Sequence, residues 1–342
     1  MTNKPEKKRN MTMTDIARLA GVSQSTVSRV LNGSAGVAPD KQSAVMEVIE
    51  RLNYRPNVIA QGLAMGQTLS IGVLSRYVGS PFFSNVLRGI EAGIKEKGYY
   101  PIIVIGGVLA KDDEDGIEVL LSRRVDGLIL HTYSGLAEDY LHDVAAHTPT
   151  VIIGQSVKGL ENQCITIKDY DASYQATSYL IQKGHKMIAH AAGPVTSNDA
   201  QLRRDGYLKA MADAGLQVYP ELIIDADYSE VGGAYVVDQL LRLREQLPFT
   251  AIFAANDQTA VGVRLALYRR GIAVPDDISL MGFDDIPEVQ YMIPPLTTMR
   301  QPMYQIGYTA TQSLFALMNE QQIQGLTFPV ELIERETVRP LG

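Results

Sequence analysis

From Leu69 onward the chain alternates short, unbroken apolar runs with amphipathic stretches. The runs "LSIGVL" (69–74), "YYPIIVIGG" (99–107), "DGLIL" (126–130) and "PTVIIG" (149–154) are rich in Val and Ile and predict strands buried on both faces. Helical spacing over Phe83 to Lys97 and Asp113 to Leu121 lies between them. After Asp169 the pattern restarts: helix Ala172 to Gln182 with Gly184 at its end, strand "MIAHAAG", a helix ending at Ala214, strand "LIIDA", helix Gly233 to Arg244, strand "FTAIFAA", helix Thr259 to Arg269 and strand "ISLMGF". Strand and helix repeated in two blocks predict an α/β class with two doubly wound parallel sheets, and a ligand cleft between the carboxyl ends of their strands.

The first 56 residues have a different texture. "TDIARLAG", "STVSRVLNG" and "PDKQSAVMEVIERLNY" read as short helices, the last with Val45, Val48, Ile49 and Leu52 at helical spacing, and Pro56 closes the unit. A helix starting at Ser23 puts Val27, Val30 and Leu31 on one side and Ser25, Ser28, Arg29 and Asn32 on the other. Ile16, Ala17 and Ala20 of the preceding helix can receive the apolar side. Ala17, Gly21, Val27 and Val30 have the spacing of a helix-turn-helix: a small residue at the crossing, a glycine for positive φ in the tight turn, and two apolar residues beneath the second helix. Ser23 suits an N-cap, which leaves the first amides facing a phosphate. Arg29 suits a bidentate bond to guanine, and Gln24, Ser25 and Asn32 suit base edges or phosphates; the same polar face also suits simple solvation.

Composition sharpens this division. Residues 1–63 hold nine Lys/Arg against five acids, a net charge of +4, while the remainder holds 22 against 33, a net of −11. A basic head on an acidic body suits a head that meets phosphate. At 342 residues the chain is long enough for two or three domains. No apolar run of about 18 residues occurs, and the polar start gives no secretory signal, so a cytoplasmic protein is expected. The single cysteine, Cys164, excludes an internal disulfide and a cysteine zinc cluster. His131, His142, His147, His185 and His190 show no metal-ligand spacing. There is no strand-linked G-x-G-x-x-G, Walker loop, G-x-S-x-G or H-E-x-x-H, so neither an enzyme nor a cofactor is expected.

"MTDIARLAGVSQSTVSRVLNG" resembles the amino-terminal motif of the LacI/GalR family of transcription regulators. The likeness continues through "YRPNVIAQGLA", "PFFSNVLRGIE", "GHKMIAH", "AANDQTAVG", "VPDDISLMGFDD" and "PPLTTMRQP". The resemblance implies a helix-turn-helix DNA-binding domain at 12–56 after a flexible basic tail at 1–11, and a hinge helix at 57–67. A two-lobed periplasmic-binding-protein-like effector domain at 68–342 would follow. Its N-lobe would comprise about 68–168 plus 299–325, and its C-lobe about 169–298 plus 326–342. Thr12, Ser23, Gln24, Ser25, Thr26, Ser28, Arg29, Asn32, Tyr54, Asn57, Ala60 and Leu63 are the implied DNA contacts. Leu63 of each subunit would wedge into the minor groove at the operator centre. The segment "NVIAQGLA" is a poor helix alone, since Gly62 costs about 1 kcal/mol relative to Ala and eight residues are too few to nucleate.

Phe82 and His131 of the first lobe, with Arg203, Asn256 and Asp284 of the second, are the implied ligand contacts, a set that suits a sugar. Asp284 and Asp285 equally suit a turn cap, and Phe82 a core position. Ser80, Gly154 and Gln155 depart from the family pattern; Arg76 and Gln155 are candidate substitutes. The expected partners are pseudo-palindromic operator DNA, a sugar-type effector and a second copy of the chain, since no heptad tail precedes Gly342. Repression of a carbohydrate-utilisation operon, released by an inducer, is the expected function. Corepression needs only the opposite sign of coupling. A sugar-binding transport component would leave the head unexplained.

Overall fold

The structure, a computed structural model, describes residues 11–31, 36–52, 67–75, 80–107, 110–132 and 136–341. The chain divides into two compact units, Met1–Thr68 and Leu69–Gly342. In the first, helices α1 (Met13–Leu19), α2 (Gln24–Leu31) and α3 (Pro39–Arg51) close around Ile16, Ala17, Val27, Val45 and Val48. Thr12 starts α1 with a capping box: its Oγ1 accepts from the Asp15 N–H at 3.3 Å, and Asp15 Oδ2 accepts from the Thr12 N–H at 3.1 Å. Gly21 turns the chain into α2 at φ +66° with open space beside it, so backbone conformation rather than crowding selects glycine.

The second unit runs β1 (Ser70–Ser75), α4 (Pro81–Glu96), β2 (Tyr100–Ile105), α5 (Ala110–Ser122), β3 (Gly127–His131), α6 (Glu138–His147), β4 (Thr150–Ile153) and β5 (Cys164–Ile167). It continues with α7 (Asp169–Gln182), β6 (Ile188–Ala192), α8 (Asn198–Asp213), β7 (Ile223–Asp225), α9 (Glu230–Leu243), β8 (Ala251–Ala254), α10 (Asp257–Tyr268) and β9 (Ser279–Met281). The last elements are β10 (Thr298–Arg300), α11 (Met303–Met318), β11 (Leu326–Phe328) and β12 (Glu331–Ile333). One parallel sheet has the order β11-β5-β4-β3-β1-β2 and the other β7-β6-β8-β9, while β10 and β12 pair antiparallel. β1, β3, β4, β6 and β8 are buried along their whole length, as continuous aliphatic runs between two helical layers require.

Two expectations need correction. The "YYPIIVIGG" strand is not buried on both faces: β2 ends its sheet, pairs with β1 on one side, and leaves Tyr100 64% and Ile105 63% exposed. The C-lobe does not resume at 326, because Leu326–Phe328 pairs with Ile165–Ile167 as the outermost strand of the first lobe's sheet. The chain therefore passes between lobes three times, after β5, between β10 and α11, and between β11 and β12.

α11 crosses back to pack on α4. A Cβ on Gly89 would lie 2.1 Å from the Tyr304 carbonyl oxygen, and one on Gly307 would lie 1.9 Å from that of Val86. The two helices thus touch backbone to backbone, and the returning segment is held to the first lobe.

Candidate functional site

On α2 the apolar side faces inward as its spacing requires: Val27 is fully buried, and Val30 and Leu31 are half-buried. Gln24, Ser25 and Arg29 are exposed, and Thr26 and Ser28 partly so. Ser23 Oγ accepts from the Thr26 N–H at 3.2 Å and shares hydrogen bonds with the hydroxyls of Ser25 (2.7 Å) and Thr26 (2.8 Å). Three hydroxyls therefore gather at the positive end of the helix. Thr12, at the start of α1, is exposed. Asn32, Tyr54, Asn57, Ala60 and Leu63, the hinge segment 57–66 and Arg76 lie outside the described residues.

In the second unit a cavity of about 620 Å³ opens between the lobes, at the carboxyl ends of both sets of strands. All five sequence-derived ligand candidates line it: Phe82, His131, Arg203, Asn256 and Asp284. The first-lobe wall is mainly apolar. His131, at the end of β3, stacks on Phe83 at 5.1 Å and tilts against Phe82 at 5.9 Å, which fixes the ring in place. Ile153, Ile165, Ile167 and Ile306 complete that wall. Ser80 also lines the cavity, whereas Gln155 turns its amide to Thr132 Oγ1 at 2.6 Å.

The second-lobe wall is built around Arg203 on α8, which is 4% exposed. Its Nε donates to Asp169 Oδ1 at 2.8 Å and its Nη1 to the Ala255 carbonyl at 2.6 Å. Nη2 lies 3.5 Å from Asp199 Oδ2, Nη1 lies 3.9 Å from Asp284 Oδ1, and the guanidinium sits 3.9 Å from the centre of the Phe283 ring. Burial works against this charge, but Asp169, Tyr228, Asp199 and Asp284 together hold Arg203 firmly protonated. Burial pushes the Asp169 carboxyl up to about 6, with Arg203 pulling it down and Asp199 adding to the rise. Asp284 is likewise raised by burial, against the pull of Arg203.

Asp284 adopts φ +125° and Asp285 φ +60°, a pair of conformations that L side chains rarely take. Bonds on every side hold the turn. The Asp284 N–H donates to the Met299 carbonyl at 2.7 Å, Gln301 Nε2 donates to Asp284 Oδ1 at 2.6 Å, and Arg300 and Arg335 each bond Asp285. Asp284 is thus both a turn residue and a cavity wall. Asn256 also has two duties, since its Oδ1 caps α10 through the Thr259 N–H at 3.0 Å and its Nδ2 donates to the Tyr228 carbonyl at 3.1 Å. One N–H and one lone pair of its amide remain for a ligand.

Sequence reasoning missed Asp169, Asp199, Tyr228 and Gln301. Asp199 stands one helical turn before Arg203, a spacing that does signal a shared face. Asp169 and Gln301 are brought in by interlobe crossings and carry no local signal.

Residues 12–57 match the bacterial regulatory proteins of the lacI family, and residues 177–338 match the periplasmic binding protein-like domain. The chain is 34% identical to the HTH-type transcriptional repressor PurR of Vibrio campbellii over 97% of its own length and 99% of that protein. It is 34% identical to the ribose operon repressor of Haemophilus influenzae, over 89% and 90% of the two chains. The crystal structure of the lac repressor dimer bound to operator and the anti-inducer ONPF superposes with a TM-score of 0.87 at 30% identity, covering 97% of this chain and all of that one.

Proposed function

Because the chain belongs to the LacI family of bacterial regulatory proteins and is a DNA-binding transcriptional repressor, we propose that its operator affinity is set by a small polyhydroxylated effector bound between the lobes. The observation that carries this reading is the cavity itself. An aromatic and aliphatic wall, Phe82 and His131 with four isoleucines, faces a polar wall of Arg203, Asn256 and Asp284. Rings and aliphatic surface cover the C–H faces of a sugar, while the carboxylate, guanidinium and amide take its hydroxyls. The effector is a sugar-type inducer, which agrees with the likeness to a ribose operon repressor.

Arg29, Gln24, Ser25 and Ser28 read base edges, with Ser23, Thr26 and Thr12 toward phosphates. Asn32, Tyr54, Asn57, Ala60 and Leu63 complete the DNA surface, and residues 57–67 form the hinge. The working unit is a homodimer on a pseudo-palindromic site, as in the lac repressor dimer. Exposed apolar groups on the second lobe support self-association: Tyr268 and Ile293 are 69% and 87% exposed, and Arg264 joins them, stacking on the ring and donating to the Ile293 carbonyl at 2.7 Å. No helix among the described residues is long and apolar enough to cross a membrane, and the cytoplasm is the compartment where such a repressor meets its operator. Selection of bound sequences from random DNA, followed by titration of the complex with sugars and polyols, tests this reading. A two-fold-related site released by a sugar is expected; the absence of any enriched sequence would contradict it.

A further inference from the structure

The charge of the cleft is lopsided. Among the described residues lining it, Asp169, Asp199, Asp227 and Asp284 are carboxylates, and Arg203 is the one permanent cation. Of its five N–H groups, Arg203 gives Nε–H to Asp169 and one at Nη1 to Ala255, and Nη2 lies 3.5 Å from Asp199, so its single charge is shared among several acids. Two of the acids are less fully engaged, whereas Asp199 already accepts from the Ser197 hydroxyl and, at 3.1 Å, from the Tyr228 hydroxyl. The Asp169 and Asp284 side chains are only 6% and 5% exposed, and each spends Oδ1 on a protein partner. Their Oδ2 atoms accept no hydrogen bond among the described residues, although both residues border the cavity.

A carboxylate only accepts hydrogen bonds, and with four of them against one guanidinium this wall is short of positive charge. Burying unneutralised carboxylates is costly, and the rise of the Asp169 carboxyl to about 6 reflects that cost. A neutral polyol supplies donors but no charge. A phosphorylated or carboxylated sugar adds a further anion to the same low-dielectric space.

We propose that the ligand of this cleft is a sugar-sized polyol carrying one protonated amine, seated with the ammonium among the carboxylates around Arg203 and its carbon skeleton against Phe82 and the isoleucine wall. This assignment rests on the reading of the cleft as a polyol site and adds the charge of its occupant. The ammonium brings donors to the open Oδ2 atoms of Asp169 and Asp284, and the missing positive charge to these two and to neighbouring Asp199.

Three six-carbon probes of one skeleton separate the possibilities: 1-amino-1-deoxysorbitol, sorbitol and gluconate, carrying +1, 0 and −1. Calorimetric titration of the full chain at pH 7.5 and constant ionic strength, backed by a melting-temperature shift, is expected to show the amine binding at least about tenfold tighter than sorbitol. That ratio is what a charge-assisted hydrogen bond in place of a neutral one supports. Gluconate gives no heat. Asp199→Asn narrows the ratio between amine and sorbitol, and a ratio unchanged in that variant would count against the placement of the ammonium. Sorbitol or gluconate binding as tightly as the amine overturns the charge assignment and leaves the polyol reading intact. No response to any of the three, nor to the matching hexose, hexosamine and hexose 6-phosphate, overturns both.

Discussion

Ser80 Oγ donates a 3.0 Å hydrogen bond to Gln258 Oε1, joining the amino end of α4 in the first lobe to the first turn of α10 in the second. Both residues border the cavity, so this bond spans the space a ligand enters. It holds one lobe arrangement. A single hydrogen bond of this kind contributes about 0.5–1.5 kcal/mol net. Ser80→Ala therefore shifts the balance toward separated lobes and changes the half-saturating concentration of a cleft ligand by roughly 2- to 10-fold. Calorimetric titration of the variant checks this, and an unchanged affinity would remove the bond from the closing equilibrium.

Arg29 is exposed on the polar side of α2, opposite buried Val27. Arg29→Ala costs about 1–3 kcal/mol of specific operator affinity and relaxes preference at one base pair of each half-site. Binding-site profiling of the variant measures both effects. If Arg29 touched only phosphate, affinity would fall evenly across sequences and the salt dependence would weaken instead.

The contact between α4 and α11 leaves no room for a methyl group. Gly307→Ala places a Cβ within 1.9 Å of the Val86 carbonyl oxygen, which is backbone and cannot swing aside. The helices must separate, at a cost of about 1–3 kcal/mol or more. A melting temperature lowered by several degrees is expected, whereas Gly98→Ala meets no neighbouring atom and costs only the backbone strain of its φ of +74°.

His190 lies fully buried between the rings of Tyr207 and Phe253, at 5.0 and 5.1 Å, with Nδ1 bonded to the Phe253 carbonyl at 3.0 Å. Burial lowers its pKa from 6.5 to about 4. Between those values the unfolded chain binds more protons than the folded one, so this group's stabilisation is lost as pH falls from about 6.5 to about 4. Asp169, raised to about 6 by burial, acts in the opposite sense, gaining stability as pH falls below that value. The comparison with His190→Gln cancels the shared carboxylates. Melting temperature should drop more steeply between pH 6.5 and 4.5 in the parent protein than in the variant, and parallel curves would contradict the assignment.

How much of this was legible in the sequence follows from which interactions are local. The α2 face was readable because Val27, Arg29 and Ser25 obey a 3.6-residue period, and Gly21 because a tight turn demands positive φ. The buried strands were readable from unbroken Val and Ile runs. β2 has the same composition as its buried neighbours, and only sheet order places it at an edge. β11 escaped for the converse reason, since "LTF" is three residues long and gains its place by pairing with β5, 161 residues away in the chain. In the cleft, Arg203 and Asp284 followed from motif position. Asp169 did not, because it reaches Arg203 from α7, across a sequence separation of 34 residues.

In the proposed repressor, occupancy of the cleft and operator binding by the head are energetically coupled, and coupling of binding free energies is reciprocal. The most direct test measures the dissociation constant of one cleft ligand twice, for the free protein and for the protein saturated with its selected operator. An inducer is expected to bind more weakly to the operator-bound protein, by roughly 5- to 150-fold, and by the same factor that it weakens operator binding. Equal affinity in the two states would contradict that coupling.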